Sequence, residues 1–163
     1  MLNWFATITE FETPAAKDAL RSRRYGVIET ARGQVVAIRL RPWPKLLSWP
    51  EIWPTGANYR ARGDADRRLL YYNQPRGHSN FLALKYIVST AGTSFPTLRA
   101  AVDELDRIAE LKRSDAILCD AANLRISDRL LARFGWESHK PERWRRNFIK
   151  RFYGDYPPSV LPL

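Results

Sequence analysis

The stretch from Asn80 to Trp136 places the strongest constraint on what this chain can fold into. It begins with an apolar strand over 81–88 and a loop of small residues over 89–94, and continues with a periodic helix, a second apolar strand and a second helix. Two strands joined by a helical crossover are expected to be parallel neighbours with a right-handed connection. The sequence therefore predicts a strand-helix-strand unit within the sheet.

The first helix of this unit is defined by apolar residues at three- and four-residue spacing. They are Leu98, Ala101, Val102, Leu105, Ile108 and Ala109. Ser94 and Thr97 are candidate N-caps, and Pro96 is tolerated in a first helical turn. Lys112 suits the C-terminal end, where a cation is favourable. We expect the helix over 97–112.

The second strand of the unit is short and apolar. A continuous run such as 116–119, closed by Asp120, is typical of a strand buried on both faces. Cys119 lies in this run, so we predict a small core residue rather than a nucleophile. Asn123 is predicted to open the next helix and Gly135 to end it. The apolar face of that helix consists of Ile126, Leu130, Leu131 and Phe134.

The loops that follow the two strands form the natural ligand crevice of such a unit. They are residues 89–95 and 120–123. The first loop leads into a helix N-terminus, where free N–H groups and the helix dipole favour an anion such as a phosphate. An ordinary strand-to-helix connection explains the same residues, because Gly92 alone does not make a glycine-rich phosphate loop.

The run from Val88 to Trp136, with the basic strand after it, resembles the carboxyl half of the GNAT superfamily of N-acetyltransferases. The matching features are Val88, the helix over 97–112, the strand over 115–120, Asn123 and Phe134-Gly135-Trp136. The resemblance implies an α/β (α+β) fold with helices on both faces of a mixed central sheet of about six to seven strands. It also implies acetyl-CoA or another acyl-CoA as cofactor and an amine as acceptor.

The resemblance further implies where the cofactor would bind and how transfer would occur. The implied cofactor residues are Val88, Ser89, Gly92, Thr93, Ser94 and Asn123. A deprotonated amine would attack a thioester held between two splayed parallel strands, while backbone donors near Val88 polarise its carbonyl. Asp120 is the candidate general base, and a helix cap is its alternative role.

Two features depart from the family's pattern. The family's turn carries Arg or Gln followed by two closely spaced glycines, whereas this chain has the sequence Ala91-Gly92-Thr93-Ser94-Phe95-Pro96. Pro96 also removes an N–H donor from this turn. The tyrosine that often serves as general acid, four residues before the glycine, is Leu131 here. The residues that match the family therefore support the fold more than they support the activity.

The first half of the chain alternates strand and turn signals. Strands are predicted over 4–11, 25–29, 34–40 and 67–73. A helix is predicted between the first two, with Thr13 as N-cap and Pro14 at the first helical position. Residues 41–66 are too rich in proline and tryptophan for a regular element, and form either a covering loop or an aromatic wall for a ligand. His78, in a turn, is either a general base or a solvated loop residue.

The charge of the chain is strongly positive, with a net charge of +10 and an isoelectric point near 10.2. Such a field attracts nucleic acid, an acidic membrane surface or a cofactor with several phosphates. Basic residues also alternate with aromatic ones near the C-terminus, and two alternatives remain open. Either nucleic acid binds there, or a final strand has its aromatics in the core and its arginines in water. The candidate nucleic-acid residues are Arg143, Arg145, Arg146, Lys150 and Arg151.

The 163 residues fit a single domain, 1–163, with an insertion at about 41–66 and an extended tail at about 154–163. No apolar run approaches the ~20 residues of a membrane span. The first four residues lack the basic start of a signal peptide, so we expect a cytoplasmic protein. With one cysteine, an internal disulfide is excluded, and neither histidine has a companion at metal-ligand spacing.

Overall fold

The structure, a computed structural model, describes residues 5–43, 66–89, 94–121, 126–139 and 146–158. Within these ranges the chain is α+β, with one mixed sheet and helices that pack against it. The strands are β1 (Ala6–Ile8), β2 (Tyr25–Ala31), β3 (Gln34–Arg41), β4 (Arg67–Asn73), β5 (Phe81–Ser89), β6 (Ala116–Asp120), β7 (Glu137–Ser138) and β8 (Asn147–Arg151). The helices are α1 (Pro14–Ser22), α2 (Phe95–Leu111) and α3 (Asp128–Arg133).

The sheet has the strand order β1-β3-β2-β4-β5-β6-β8-β7. Strands β5 and β6 are parallel, as the strand-helix-strand pattern predicts, and every other neighbouring pair is antiparallel. The sheet has eight strands rather than about six to seven. One of them, β7, is a two-residue edge strand, which is too short to leave a period in the sequence.

One face of the sheet, called here the helix face, packs against α1, α2 and α3 in a single core cluster. The helices contribute Leu20 from α1, Leu105 and Ile108 from α2, and Leu131 from α3. The sheet contributes Ile28, Ile38, Leu70, Tyr72, Leu82, Leu84, Ile117 and Phe148. The prediction of helices on both faces is therefore not met in the described ranges. The rings of Phe95 and Phe134 stack with centroids 5.7 Å apart, which keeps α3 beside α2.

The helix termini test the cap predictions directly. Thr13 caps α1 by accepting the Ala16 N–H at 3.2 Å, as predicted. Helix α3 begins later than predicted, at Asp128, because the Ser127 hydroxyl accepts the Leu130 N–H at 3.2 Å and so supplies the cap. Asn123 lies outside the described residues. Gly135 follows the helix with φ of 86°, as predicted for a helix end.

The remaining predictions for this part have mixed outcomes. Cys119 is buried in the core as predicted, and burial raises the pKa of its thiol to about 12, so it remains a protonated, unreactive thiol near neutral pH. Most of the Pro/Trp-rich insertion (residues 44–65) and the end of the tail (159–163) lie outside the described residues. Among the helices that the structure describes, none combines the length and apolar character needed to cross a bilayer.

Candidate functional site at the carboxyl ends of β5 and β6

The two parallel strands pair over only the first part of β5. Their paired residues run from Phe81 opposite Ala116 to Leu84 opposite Cys119, although β5 continues to Ser89. Beyond Leu84 the pairing of β5 with β4 continues as far as Ser89. Strand β6 keeps β8 as its partner. The parallel pairing thus stops one residue before the end of β6 at Asp120, whereas β5 runs on to Ser89. The region between the unpaired carboxyl ends of the two strands is called the cleft here.

An irregularity in the β4–β5 ladder coincides with the start of this cleft. Tyr72 lies opposite Leu84 and Tyr71 opposite Tyr86, so Lys85 is an extra residue in β5. A bulge of this kind bends its strand and increases the local twist. The bulge therefore lies at the point where the pairing of β5 with β6 ends.

Beyond the bulge, β5 presents Val88 and Ser89 to opposite faces of the sheet. Both are half-buried. Ser89 lies opposite Arg68, on the helix face, whereas Val88 lies opposite Leu69 on the other face. The predicted cofactor residues of this strand therefore line both sides of the cleft edge.

The N-terminus of α2, predicted to bind an anion, already contacts a carboxylate of the chain itself. Ser94 is the N-cap residue, and its N–H and hydroxyl donate to Asp66 Oδ1 at 2.7 and 2.8 Å. The backbone N–H of Ser94 and the Thr97 hydroxyl lower the pKa of Asp66, because hydrogen bonds favour its charged form. An external anion at this helix end would have to compete with Asp66.

Thr97 extends this contact into a polar network that fixes the helix start. Its hydroxyl lies 3.2 Å from Ser94 Oγ and accepts the Gly33 N–H at 2.8 Å, while its carbonyl accepts the Thr30 hydroxyl at 3.1 Å. Thr30 and Gly33 belong to the β2–β3 hairpin, so the network anchors α2 to the sheet. The candidate N-cap role of Thr97 is thus replaced by this bridging role.

Arg68 is a cation close to Asp66 at this end of α2. It lies on β4 opposite Ser89, it is half-buried, and desolvation lowers the pKa of its guanidinium while the charge of Asp66 raises it. Its Nε is buried and has no hydrogen-bond partner within the described ranges. A buried donor without a partner is uncommon and suits an acceptor brought by a ligand.

The other predicted site residues are distributed unevenly. Asp120 is exposed at the end of β6, opposite Asn147, and so borders the same end of the sheet as Ser89 and Ser94. Gly92, Thr93 and Asn123 lie outside the described residues. His78 is exposed in a turn at the amino end of β5, away from the cleft.

The basic C-terminal residues that the structure describes do not form one surface. Lys150, a candidate nucleic-acid residue, is buried, and its ammonium lies 2.6 Å from Asp106 Oδ2 in the core. Arg146 has a structural role. Its guanidinium donates to the Ile126 and Ala121 carbonyls at 2.9 and 3.2 Å and also pairs with the Asp128 carboxylate. Arg151 remains half exposed. Arg143 and Arg145 lie outside the described residues.

Sequence reasoning missed Asp66 and Arg68. Asp66 directly precedes β4 and Arg68 lies within it, whereas Ser94, which Asp66 contacts, is 28 positions away along the chain. Their sequence neighbourhood, Arg62-Gly63-Asp64-Ala65-Asp66-Arg67-Arg68, contains mixed charges without a period or a spacing that indicates a site. Only the pairing of β4 with β5 brings these two residues to the cleft.

Comparisons of the chain with protein-family models, with curated proteins and with solved structures find no match. The GNAT resemblance therefore stays an expectation from the sequence. What the chain can do chemically has to be inferred from the residues and geometry of the cleft.

Replacement of Asp66 by asparagine is expected to lower the free energy of unfolding by about 1 kcal/mol or less at pH 7, because it weakens a charged contact to the α2 N-terminus. A carboxyl whose pKa is lower in the folded state stabilises above its ordinary pKa, and this contribution is lost as pH falls through the folded pKa. Urea unfolding at pH 7 and pH 3 should thus show a smaller difference from wild type at pH 3. Asp155→Asn, at an exposed carboxylate in the C-terminal segment, is the control, and an equal loss at both pH values would contradict the role of the charge.

Proposed function

We propose that this chain is a divergent acyl-CoA-dependent N-acyltransferase with a GNAT-like sheet, which transfers an acyl group to an amine. The supporting observation is the end of β5–β6 pairing at Leu84, while β5 runs on to Ser89 and leads towards α2. A separated parallel pair leaves room for an extended ligand arm between two strands. It also leaves backbone groups on one edge of β5 without β6 as their partner.

Those backbone groups suit the reaction. N–H groups on the β6 side of residues 85–89 would polarise an acyl carbonyl and stabilise the oxyanion that forms on it. The bound acyl-CoA would supply the thioester as the electrophile, and its C–S bond would break as the C–N bond forms, which releases the CoA thiolate to take a proton from solvent. Asp120, at the end of β6, is the carboxylate proposed to accept the proton of the attacking amine. Its exposed position keeps it accessible to an acceptor that arrives from solvent.

Arg68 is proposed to replace the family's missing Arg or Gln as the cation for the cofactor phosphates. Its unpartnered buried Nε can donate to a phosphate oxygen, and a guanidinium matches phosphate geometry. It lies opposite Ser89, the last residue of β5, and its charge interacts with Asp66, which contacts the N-terminus of α2.

Asp66 has the opposite effect on an incoming phosphate. Its carboxylate already accepts the Ser94 N–H and hydroxyl, so a phosphate near this helix end would meet a like charge. The proposal therefore predicts opposite effects for neighbouring residues. Loss of the Arg68 charge should weaken cofactor binding, and loss of the Asp66 charge should strengthen it.

Calorimetric titration of the full chain with acetyl-CoA tests this arrangement. Arg68→Gln is expected to weaken binding about tenfold, as removal of one charge-assisted hydrogen bond does. Asp66→Asn is expected to strengthen binding severalfold by removing a like charge. The matched control is Arg129→Gln, which removes an exposed charge from α3. Wild-type binding that Arg68→Gln leaves unchanged would place the phosphates elsewhere.

The alternative function, nucleic-acid binding by the basic C-terminal residues as one surface, has less support than acyl transfer. Two of its described residues already bond other parts of the chain. Lys150 is paired with Asp106 in the core, and Arg146 bonds the Asp128 side chain and the Ile126 carbonyl. Arg151 is the described member of the set that remains accessible.

A further inference from the structure

A groove lies on the sheet face away from the helices, at the amino ends of β5 and β6. Its volume is about 510 Å³. Ala116, Leu118 and Ile149 form an apolar floor, and their strand positions alternate with residues such as Ile117 that pack on the helix face. Ligand pockets for small molecules commonly have volumes of ~300–1,000 Å³. The groove thus has the size of a small-ligand site and is remote from the cleft at the carboxyl ends of these strands.

Tyr153 borders the groove in a strained conformation. Its φ is 52°, in the left-handed region that residues with bulky side chains rarely adopt, and Tyr153 is 85% exposed. The turn that contains Tyr153 is held in place through its neighbour Phe152. The Phe152 N–H donates to the Asp115 carbonyl at 3.0 Å, and the ring centroids of Phe152 and Tyr156 are 4.9 Å apart. An exposed aromatic ring held by a strained backbone points to a binding role rather than to packing. Phe81 provides a second ring in the groove.

The lining of the groove also includes donors for an anion, Arg151 and His139. Arg151 Nη1 lies 3.2 Å from Glu137 Oε2, and its Nη2 lies 3.4 Å from His139 Nδ1. An arginine only donates, so a hydrogen bond in this contact requires the tautomer in which His139 accepts at Nδ1, and in that tautomer Nε2–H is the ring's donor. The Glu137 side chain is 73% exposed, and ion pairs at such positions are weak. A ligand phosphate can therefore replace Glu137 as the partner of Arg151.

Asp115 adds an acceptor at the end of the groove. Its Oδ2 accepts the Asn80 side-chain N–H at 3.0 Å, which orients the carboxylate. The other oxygen, Oδ1, has no partner within the described residues and can accept an N–H from a ligand. A planar ring with an amino substituent satisfies this acceptor, whereas a second phosphate is repelled by it.

We propose that this groove binds one nucleotide unit that carries an amino-substituted base. The base contacts Tyr153 and Phe81 and donates its exocyclic amine to Asp115, while the phosphate accepts from Arg151 and His139. The net charge of +10 favours the approach of such an anion. This site is independent of the proposed acyl transfer, because it uses none of the residues of the cleft. Both a free mononucleotide and a single strand present the same unit.

Fluorescence anisotropy with a labelled short oligoadenylate, with AMP as unlabelled competitor, tests the groove in the full chain. Tyr153→Leu and Arg151→Gln are each expected to weaken oligoadenylate binding about tenfold, the first by removing a stacking ring and the second a phosphate donor. Tyr153→Phe keeps the ring and should retain affinity. Arg129→Gln removes an exposed charge from α3 and should change binding little. Competition by AMP identifies a free nucleotide as the ligand, whereas binding of the oligomer alone identifies a single strand.

Two results would overturn this assignment. One is oligoadenylate binding that is equally strong in wild type and Tyr153→Leu, because the base would then bind elsewhere. The other is a lack of binding of both probes at low salt. The comparison of Tyr153→Leu with Tyr153→Phe remains informative whatever the effect on stability, because both variants place a side chain in the same left-handed position.

Discussion

Replacement of Lys150 by methionine is expected to destabilise the protein by about 3–5 kcal/mol, because it leaves the Asp106 carboxylate buried without its partner. Lys150 Nζ lies 2.6 Å from Asp106 Oδ2, and the two side chains are 10% and 5% exposed. This pair connects β8 to α2 through the core. Urea unfolding at pH 7 measures the change, and a loss below about 1 kcal/mol would contradict a buried, mutually dependent pair.

A double variant separates loss of the pair from loss of packing. Lys150→Met combined with Asp106→Leu removes both charges and keeps apolar volume, so it should recover most of the stability lost by Lys150→Met. Arg151→Gln, at the neighbouring half-exposed position of the same strand, should change stability little. Equal destabilisation of the single and double variants would show that packing around the Lys150 stem is the main cause.

The same pair gives the protein a defined pH dependence. Burial raises the pKa of Asp106 to about 6, an effect that the Lys150 charge only partly offsets. A carboxyl with a raised folded pKa binds more protons when folded, so this group makes stability fall as pH rises from about 4 to about 6. Without the Lys150 charge the pKa of Asp106 rises further. The penalty of Lys150→Met should therefore be smaller at pH 5 than at pH 8.

Replacement of Gly26 by alanine is expected to destabilise the protein by about 1–3 kcal/mol through overpacking. An added Cβ would lie 2.5 Å from Tyr72 Oη and 2.7 Å from two ring carbons. Tyr72 is fully buried on the neighbouring strand, so its ring has no free space into which to move. Thermal and urea unfolding should both show the loss, and a stability equal to that of wild type would mean that the strands separate easily.

Tyr72→Phe is the companion variant. The Tyr72 hydroxyl is buried without a hydrogen-bond partner in the described ranges, and burial raises its pKa far above the ordinary value. Its removal is expected to be neutral or slightly stabilising, because no hydrogen bond is lost and an unsatisfied polar group leaves the core. In Gly26→Ala combined with Tyr72→Phe, part of the Gly26→Ala loss should be recovered, since the closest of the three contacts is absent.

The strand-helix-strand unit could be predicted from the sequence because its signals are local. The 3.6-residue period of α2 and the apolar run of β6 each lie within one short segment, and β5–β6 pairing follows from their order. The start of α3 was misplaced because Asn123 and Ser127 both suit an N-cap, and only the Ser127 hydrogen bond decides between them.

The polar contacts of the core and of the candidate site could not be predicted, because they depend on partners that are distant along the chain. Lys150 has the charge of a surface residue in the sequence, yet its partner Asp106 lies 44 positions earlier on another element. The alternation of Phe148 and Phe152 correctly indicated a core side of β8, and Lys150 falls on that same side. Asp66 likewise reaches Ser94 only through the fold.

The measurement that tests the central claim most directly is calorimetric titration of the intact wild-type chain with acetyl-CoA at moderate salt. Acyl-CoA binding in the cleft between β5 and β6 predicts a saturable isotherm, weakened by Arg68→Gln and strengthened by Asp66→Asn. Moderate salt matters because a net charge of +10 attracts any polyanion at low ionic strength. The absence of saturable heat at millimolar acetyl-CoA, or an isotherm that vanishes at moderate salt, would contradict the proposed acyl transfer.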